Sequence, residues 1–301
     1  MSFSRDYFSG NIVGIGQVTC VSQARHGVFD WYKRLGFAFW PFKEISVYDD
    51  FDGAAPSTPV LDRVYIYFRS GSSLEVVNRE GETPYFEPFD GFLDRFKEPG
   101  YVKIGLEVRN LGIETLRHLA AGRRPETTYY FEVCGDDPKG GEFVRYVGHQ
   151  IYGVLDDHIM ISGQERHDMA HVLPKLTTEH PNGATDISGV LIAARDPADM
   201  ASDIGPLGGL DFEGSDPRVA TLKNGSRLII ASPDALTRLY PPFAHNRARS
   251  VVAPIFTVAD LAETEAYLAG QALKVAEFDG RVVAVDDYHP GMPVIFEGRR
   301  R

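Results

Sequence analysis

Hydrophobic and polar residues follow one another along this chain in a pattern that occurs four times. Each occurrence begins with a short apolar segment, which is typical of a buried strand, and continues with apolar residues spaced three or four apart, which is typical of an amphipathic helix. In the first, GIGQVTCV precedes a helix predicted through Val28, Trp31 and Leu35. Gly36 ends that helix. Three β-rich stretches follow, so the predicted order is β-α-β-β-β.

The other three units repeat this order. Their first strands and helices lie in YVKIGLEVRN with IETLRHLAAG, in ISGVLIAARDPADM, and in VVAPIFTVADLAETEAYLAGQ. The third unit is shorter than the others. A polar segment rich in helix breakers separates the second unit from the third. We therefore predict a first domain of two units over residues 1–165, a linker over 166–184, and a second, abbreviated domain over 185–301.

Composition narrows the function classes. The chain of 301 residues has a net charge of -11 and a pI near 5.3, which argues against partners such as nucleic acid or an anionic membrane surface. No apolar run approaches the roughly 20 residues that a membrane helix needs, and the start lacks the pattern of a signal peptide. We expect a cytoplasmic protein whose partner is a small-molecule substrate. Cys20 and Cys134 are too few for a disulfide framework.

The strand starts QVTCV, KIGLEVRNL, GVLIAARDP and PIFTVADL, in this repeated order, resemble the vicinal oxygen chelate superfamily, which includes glyoxalase I, extradiol dioxygenases and bleomycin-resistance proteins. The stretch from Gln17 through Trp31-Tyr32 to Leu35-Gly36-Phe37 is similar to the family's stretch from a metal ligand to the end of its first helix. The resemblance implies an α+β fold in which four βαβββ modules pair into two open, curled mixed β-sheets with flanking helices. It also makes a homodimer an expectation.

The resemblance implies metal ligands on the first and last strands of paired units. In the first unit these positions fall on Gln17 and on Glu75 in SLEVV. In the second unit the last-strand position falls on His158 in DDHIMIS, with Asp157 or Ile159 in its place if the register shifts by one residue. Gln17, Glu75 and His158 with a water molecule would hold a divalent metal ion, whose identity the residues do not define.

Lys103 departs from the family pattern. It stands at the first-strand position of the second unit, and a protonated lysine cannot bind a metal ion. Three alternatives are open for its side chain. It could face solvent, it could form a structural salt bridge with Glu75, or it could bind a substrate oxyanion directly.

Other polar residues are candidates for catalysis and substrate binding. With Glu75 and Lys103, His149 is a candidate catalytic residue, because an imidazole near a carboxylate can transfer a proton. Tyr65, Tyr67 and Arg69 alternate along VYIYFRS and would share one strand face, where they could contact an aromatic or carboxylate-bearing substrate. The alternative is that this face of the strand is turned to solvent.

The third and fourth units offer no such residues. Their matching positions fall on Gly189 and Ala253 at the strand starts, and on Ile229 and Phe296 or its neighbour Glu297 on the last strands. We therefore expect no metal in the second domain, which argues against an extradiol dioxygenase.

Two functions follow for the first domain. The leading one is a metal-dependent lyase or isomerase of the glyoxalase kind, which stabilises an enolate or oxyanion of a small oxygenated substrate. The alternative is a metal-free protein that sequesters a small molecule, as bleomycin-resistance proteins do. Gln17 with Glu75 favours the first function. Lys103 and an aromatic-rich segment within residues 79–99 favour the second.

Overall fold

The described part of the chain folds into strands and helices in the predicted alternation. A computed structural model describes residues 11–22, 27–41, 44–49, 53–54, 58–59, 63–78, 100–125, 127–136, 142–155, 159–167, 169–239, 249–271, 273–285 and 292–299. The helices are α1 (Gly27–Arg34), α2 (Leu111–Ala120), α3 (Met169–Val172), α4 (Pro197–Gly208), α5 (Pro233–Leu239) and α6 (Leu261–Gly270), and a 3-10 turn covers Leu173–Lys175.

The strands fall into two groups along the chain. The first group is β1 (Ile12–Ser22), β2 (Trp40–Pro41), β3 (Glu44–Asp49), β4 (Gly53–Ala54), β5 (Thr58–Pro59), β6 (Arg63–Tyr67), β7 (Ser73–Asn78), β8 (Gly100–Val108), β9 (Thr127–Asp136), β10 (Glu142–Leu155) and β11 (Ile159–Arg166). The second group is β12 (Ala184–Ala194), β13 (Arg218–Thr221), β14 (Arg227–Ala231), β15 (Arg249–Val258), β16 (Lys274–Phe278), β17 (Arg281–Val285) and β18 (Val294–Gly298). We call these groups, with their helices, the first half and the second half.

The two halves have the same strand order. The central strands of the first half lie in the order β6-β7-β1-β8-β11-β10-β9, and those of the second half in the order β13-β14-β12-β15-β18-β17-β16. The two middle strands are antiparallel in both halves, and each has a parallel neighbour on its other side. The pair formed by Tyr101 and Val251 joins the two halves into a continuous sheet.

The repeat extends to the irregularities of the middle strand pair. Three register shifts interrupt the pairing of β1 with β8, and three interrupt the pairing of β12 with β15 at the matching places. A bulge changes which face each following side chain occupies, so matching bulges preserve matching faces. The corresponding pairs are Gln17–Gly105 with Gly189–Ile255, and Thr19–Lys103 with Leu191–Ala253.

Local sequence accounts for the helix ends. Gly36, with a φ of 83°, follows α1 as its position predicted. Asn110 caps α2 by accepting a hydrogen bond from the Ile113 amide, and Asp260 caps α6 by accepting from the amides of the first turn. The buried residues of α1, α4 and α6 pack on one face of the sheet, in a core that both halves share.

The predicted fold class is confirmed. The chain forms an α+β structure with a curled mixed sheet and flanking helices, and the third unit is abbreviated, since two strands follow its helix before α5. None of the helices that the structure describes has the length and apolar character needed to cross a membrane.

Candidate functional site

Buried polar side chains collect on one face of the first half. This face, which we call the polar face, lies opposite the side of the sheet that packs on α1, because successive residues of a strand point to opposite faces. Its members lie on four adjacent strands, and each is less than one tenth exposed. They are Gln17 and Thr19 on β1, Glu75 on β7, Lys103 on β8, and Ser162 and Gln164 on β11.

Glu75 is the centre of this cluster. Its Oε2 atom accepts a hydrogen bond from the Thr19 hydroxyl at 2.7 Å and one from the Gln17 amide nitrogen at 3.4 Å. Its Oε1 atom accepts from the Tyr65 hydroxyl at 2.7 Å. Donors therefore hold both oxygens of a carboxylate that would otherwise be costly to bury.

Lys103 supplies the opposite charge. Its Nζ atom lies 3.5 Å from Glu75 Oε2, and the two side chains are 4% and 2% exposed. Thr19 pairs with Lys103 on one side and with Glu75 on the other, so the lysine side chain extends across β1 to reach the carboxylate. Of the alternatives that the sequence left open, a Lys103 side chain that faces solvent is wrong, and an ion pair with Glu75 is present.

The side chains of Gln17 and Gln164 meet across β8, the strand that lies between β1 and β11. The Gln164 amide nitrogen donates a hydrogen bond to Gln17 Oε1. The two side chains meet over Gly105, where a Cβ atom would lie 3.1 Å from the Gln164 side chain and 3.2 Å from Gln17 Cβ. A glycine at this position therefore permits the close approach of the two amides.

His149 lies next to the cluster on β10. It pairs with Gln164 of β11, and directly opposite residues of neighbouring strands share a face. Burial lowers the pKa of His149 well below its usual value, and the nearby Lys103 charge lowers this pKa further. The imidazole is therefore neutral at physiological pH.

Two of the three predicted substrate-binding residues lie together, and the third does not. Tyr65 and Tyr67 stack with ring centroids 5.8 Å apart, and Trp40 packs edge-on against Tyr67 at 5.9 Å. Arg69 does not join them, because β6 ends at Tyr67 and Arg69 lies in the turn that follows. The Arg69 side chain is 62% exposed and forms an ion pair with Glu179 at 3.2 Å.

The register of β11 defines the last-strand position of the second unit. Glu75 pairs with Thr19 in the first unit, and Ser162 pairs in the same way with Gly105 in the second. Ser162 therefore occupies the position that corresponds to Glu75. His158, the metal ligand expected from the resemblance, lies outside the described residues, between the ends of β10 and β11.

On the corresponding face of the second half, the positions that match Gln17, Glu75, Lys103 and Ser162 are apolar, whereas Glu297, at the position of Gln164, forms a buried ion pair with Arg227 at 2.5 Å. One glycine and three aliphatic residues stand there in place of Gln17, Glu75, Lys103 and Ser162, and in the same order they are Gly189, Ile229, Ala253 and Ile295. The aliphatic residues belong to one buried cluster, into which three residues of α5 also pack.

The fourth of these positions differs from the predicted one. Ile295 pairs with Ile255 as Ser162 pairs with Gly105, so Ile295 and not Phe296 or Glu297 is the match. The predicted position lay one or two residues further along the strand. Such a choice matters because a shift of one residue along a strand changes the face that a side chain occupies.

The donor chemistry of the polar face does not fit a divalent metal ion in this arrangement. A metal would need free lone pairs on Glu75, whose oxygens accept hydrogen bonds from three side chains and face the Lys103 ammonium. Gln17 presents its amide nitrogen to Glu75, while its oxygen accepts from Gln164. Within the described ranges, no group of three His, Cys, Asp or Glu side chains is arranged to hold a metal ion.

Sequence reasoning missed three members of the cluster. Thr19 could have been found, because it lies two residues after Gln17 and so shares its face on β1. Ser162 and Gln164 carried no comparable signal. Their place depends on the register of β11 against β8, which pairs residues far apart in the sequence.

Similarity to known proteins is visible in the fold. Neither a family model nor a curated protein sequence matches the chain. A mutant of 4-hydroxymandelate synthase from Streptomyces coelicolor matches with a TM-score of 0.57 and 11% identity over 97% of this chain and 95% of that one. A hypothetical protein from Staphylococcus aureus matches with a TM-score of 0.56 and 10% identity over 96% of this chain and 100% of that one.

A third solved structure is similar over part of its own length. It is a fusion of a xylose isomerase-like TIM barrel with a 4-hydroxyphenylpyruvate dioxygenase, and it matches with a TM-score of 0.53 and 12% identity over 96% of this chain and 49% of that one. The synthase and the fusion protein have the vicinal oxygen chelate fold. At these identities the likeness shows the fold of this chain, which is the fold that the sequence resemblance implied.

Proposed function

We propose that the first half binds a small oxygenated molecule on its polar face, with the Lys103 ammonium in the role that a metal ion has in the vicinal oxygen chelate superfamily. The observation that supports this proposal is the buried pair of Lys103 Nζ and Glu75 Oε2, 3.5 Å apart. Both residues stand at positions where the resemblance implies metal ligands. A fixed positive charge at this point can attract and orient an oxygen atom without a metal ion.

The second half supports a functional role for this cluster. The same strand positions are there filled by small and aliphatic side chains that pack with α5. Burying charged groups costs several kcal/mol in desolvation, and well-packed apolar residues are often as stable or more stable. Apolar residues therefore fill the same four positions elsewhere in this chain, and a buried polar cluster in their place is typical of a binding or catalytic site.

The cluster would also serve turnover of the bound molecule. Lys103 would stabilise negative charge that develops on an oxygen, as in an enolate or oxyanion, and the neutral His149 imidazole can accept a proton. Tyr65 and Tyr67 present stacked rings beside Glu75 for contact with a flat substrate. These roles would suit a lyase or isomerase as well as a protein that sequesters its ligand.

The test compares ligand binding by the whole protein with and without the Lys103 charge. Small oxygenated molecules are screened by the melting temperature of the wild type and of Lys103→Met, which keeps the length of the side chain and removes its charge. We expect compounds that raise the melting temperature of the wild type and leave that of Lys103→Met unchanged. Compounds that stabilise both proteins equally would contradict a role for Lys103.

A second candidate is the metal-dependent lyase or isomerase that the resemblance implies. It is favoured by the convergence of Gln17 and Glu75, whose side chains are in contact and so lie close enough to share a metal ion. This function would need ligands besides those of the described cluster, with His158 as the expected one, and a different arrangement of Lys103.

Elemental analysis separates the two candidates. The metal-free proposal expects no stoichiometric divalent metal after purification without chelator, and no rise in melting temperature with Mn²⁺, Co²⁺, Ni²⁺, Zn²⁺ or Fe²⁺. The double variant Lys103→Gln with Ser162→Glu places oxygen ligands at all four matching positions, so it should gain metal binding. One equivalent of metal in the wild type, lost in Glu75→Gln, would instead support the metal-dependent function.

A further inference from the structure

A histidine ring of the segment before β12 is held by the backbone of the first half. His180 packs edge-on against the rings of Phe37 and Phe68, with centroids 5.6 and 5.1 Å away. Its Nδ1 atom accepts a hydrogen bond from the Ala38 amide at 3.1 Å, and its Nε2 atom donates one to the Tyr67 carbonyl at 3.0 Å. One donor, one acceptor and two apolar walls therefore bind this ring.

The backbone that supplies the donor is repeated in the second half. After each of α1 and α4, one amide donates to the carbonyl five residues before it, and these amides belong to Phe37 and Leu210. Three residues further on, the chain pairs with the neighbouring strand, with β6 in the first half and with β13 in the second. Ala38 and Asp211, which follow Phe37 and Leu210, therefore correspond.

The backbone that supplies the acceptor is repeated as well. In the β6–β7 and β13–β14 hairpins, the amide of the first turn residue donates to the carbonyl four residues later, at Phe68 and at Leu222. Tyr67 and Thr221, which precede these residues, therefore correspond. Bonded and non-bonded positions alternate along an antiparallel pair, so the carbonyls of Tyr67 and Thr221 both point away from the other strand of the hairpin.

In the second half these positions line a cavity of about 550 Å³, which is within the range of small-molecule pockets. Leu210 and Leu222 stand in it at the positions where Phe37 and Phe68 contact His180, so its walls are apolar but carry smaller side chains. None of the hydrogen bonds among the described residues uses the Asp211 amide or the Thr221 carbonyl. Across the cavity lie two residues of α2, Glu114 and Arg117, which form an ion pair at 2.7 Å.

The chain has no second histidine for this cavity. The residue just before the first strand of each half accepts the same backbone hydrogen bond, at Asn11 and at Gly183. Counting three residues back from these positions gives Phe8 and His180. Phe8 lies outside the described residues, and a phenyl ring can neither accept a hydrogen bond from an amide nitrogen as imidazole does nor donate one to a carbonyl.

We propose that this cavity is a second ligand site, which binds a small molecule that carries a neutral azole ring. The ring accepts from the Asp211 amide and donates to the Thr221 carbonyl, as His180 does with the corresponding groups, and it packs between Leu210 and Leu222. The ring is neutral because only the neutral form of an imidazole both accepts and donates. The site shares no residue with the polar face, so the inference goes beyond the proposed function.

Titration of the full chain with benzimidazole and 1-methylbenzimidazole tests this inference, with binding followed by the backbone amide NMR signals. At mildly alkaline pH both probes are neutral and both have an accepting ring nitrogen, but only benzimidazole has an N–H donor. Asp211→Pro removes the amide donor of the protein. Asp211→Ala is its matched control, because it removes the same carboxylate and keeps the amide.

We expect benzimidazole to shift the amide signals of Asp211 and Leu222 in the wild type, and 1-methylbenzimidazole to bind about tenfold more weakly. Asp211→Pro should bind benzimidazole about tenfold more weakly than Asp211→Ala does. Wild-type signals that do not move, equal affinity for the two probes, or equal affinity of the two variants would each overturn the inference. The comparison of the probes needs only the wild type, so the test does not depend on the folding of Asp211→Pro.

Lys103→Met in the same titration separates this inference from the proposed function. Its affinity for benzimidazole should equal that of the wild type, because the cavity contains no atom of the polar face. A loss of affinity in Lys103→Met would place the probe on the polar face and overturn the inference. Failure of the screen for ligands that depend on Lys103 would count against the proposed function alone.

Discussion

The two halves of this protein share one backbone pattern and differ in chemistry at four matching positions on it. Their central strands have the same order, the same directions and register shifts at matching places. In the first half the four matching positions hold Gln17, Glu75, Lys103 and Ser162, all buried. In the second half they hold one glycine and three aliphatic residues, which pack with α5. The same backbone therefore accommodates either polar or apolar side chains at these positions.

This difference separates what the fold needs from what a function needs. The aliphatic residues at the matching positions of the second half gain stability from buried surface, at about 25 cal/mol per Å². The polar face of the first half must first offset the desolvation of an ammonium and a carboxylate, so it is the less favourable filling for stability alone. We infer that the polar residues are present for what they bind.

The largest expected effect comes from removing the carboxylate of the first half. Glu75→Ala takes away the carboxylate that pairs with Lys103 and leaves the ammonium buried. We expect a loss of about 3–5 kcal/mol in the free energy of unfolding. Urea denaturation at neutral pH measures this loss. A loss below about 1 kcal/mol, which is typical of exposed ion pairs, would mean that solvent reaches Lys103.

A cavity in the second half should cost somewhat less and leave ligand binding unchanged. Ile229 occupies the position that matches Glu75 and is 6% exposed, so Ile229→Ala removes packed methyl groups from the apolar cluster. We expect a loss of about 2–4 kcal/mol in the free energy of unfolding. The affinity of any ligand of the first half should stay at the wild-type value. A parallel loss of affinity would show that the two faces are not independent.

The segment that connects the halves should respond to pH. His180 Nδ1 accepts a hydrogen bond from the Ala38 amide, and Nε2 donates to the Tyr67 carbonyl, so the ring is neutral in the folded protein. Burial lowers the pKa of His180 to about 4. The Tyr67 hydrogen bond raises this pKa and the Arg69 charge lowers it, both by less than burial does.

A lowered histidine pKa makes the folded protein less stable in acid. Between pH 6.5 and 4 the unfolded chain binds more protons at His180 than the folded protein does, so this contribution is complete above pH 6.5 and falls as the pH is lowered towards 4. The loss by pH 5 is about 2 kcal/mol. Urea denaturation at several pH values should show a shallower decline for His180→Gln than for the wild type. Equal slopes would refute a neutral, buried His180.

Much of the fold could be predicted from the sequence, because local patterns specify it. The spacing of Val28, Trp31 and Leu35 and the stop at Gly36 predicted α1, and the repeated order predicted four units. The pairing of the strands was harder to predict from the sequence. The last-strand residues of the second and fourth units depend on registers that no local pattern encodes, so Ser162 and Ile295 were missed.

The candidate site could also be predicted only in part. Gln17 and Glu75 could be placed together because the family resemblance aligns the first unit, and their side chains do meet. The ion pair of Lys103 with Glu75 was one of three open alternatives, since sequence does not tell whether a lysine at a strand start turns inward. Arg69 was misplaced because the strand ends two residues before it.

If the polar face of the first half serves binding and not stability, its two charged residues can be replaced without harm to folding. The variant that combines Glu75→Leu and Lys103→Met with Thr19→Val and Tyr65→Phe tests this claim most directly, since it removes the ion pair together with two hydroxyl donors that would otherwise lose their acceptor. We predict a free energy of unfolding equal to that of the wild type or higher by up to about 4 kcal/mol, together with loss of ligand binding. A combined variant that is less stable than the wild type by more than about 2 kcal/mol and still binds ligand would contradict the claim.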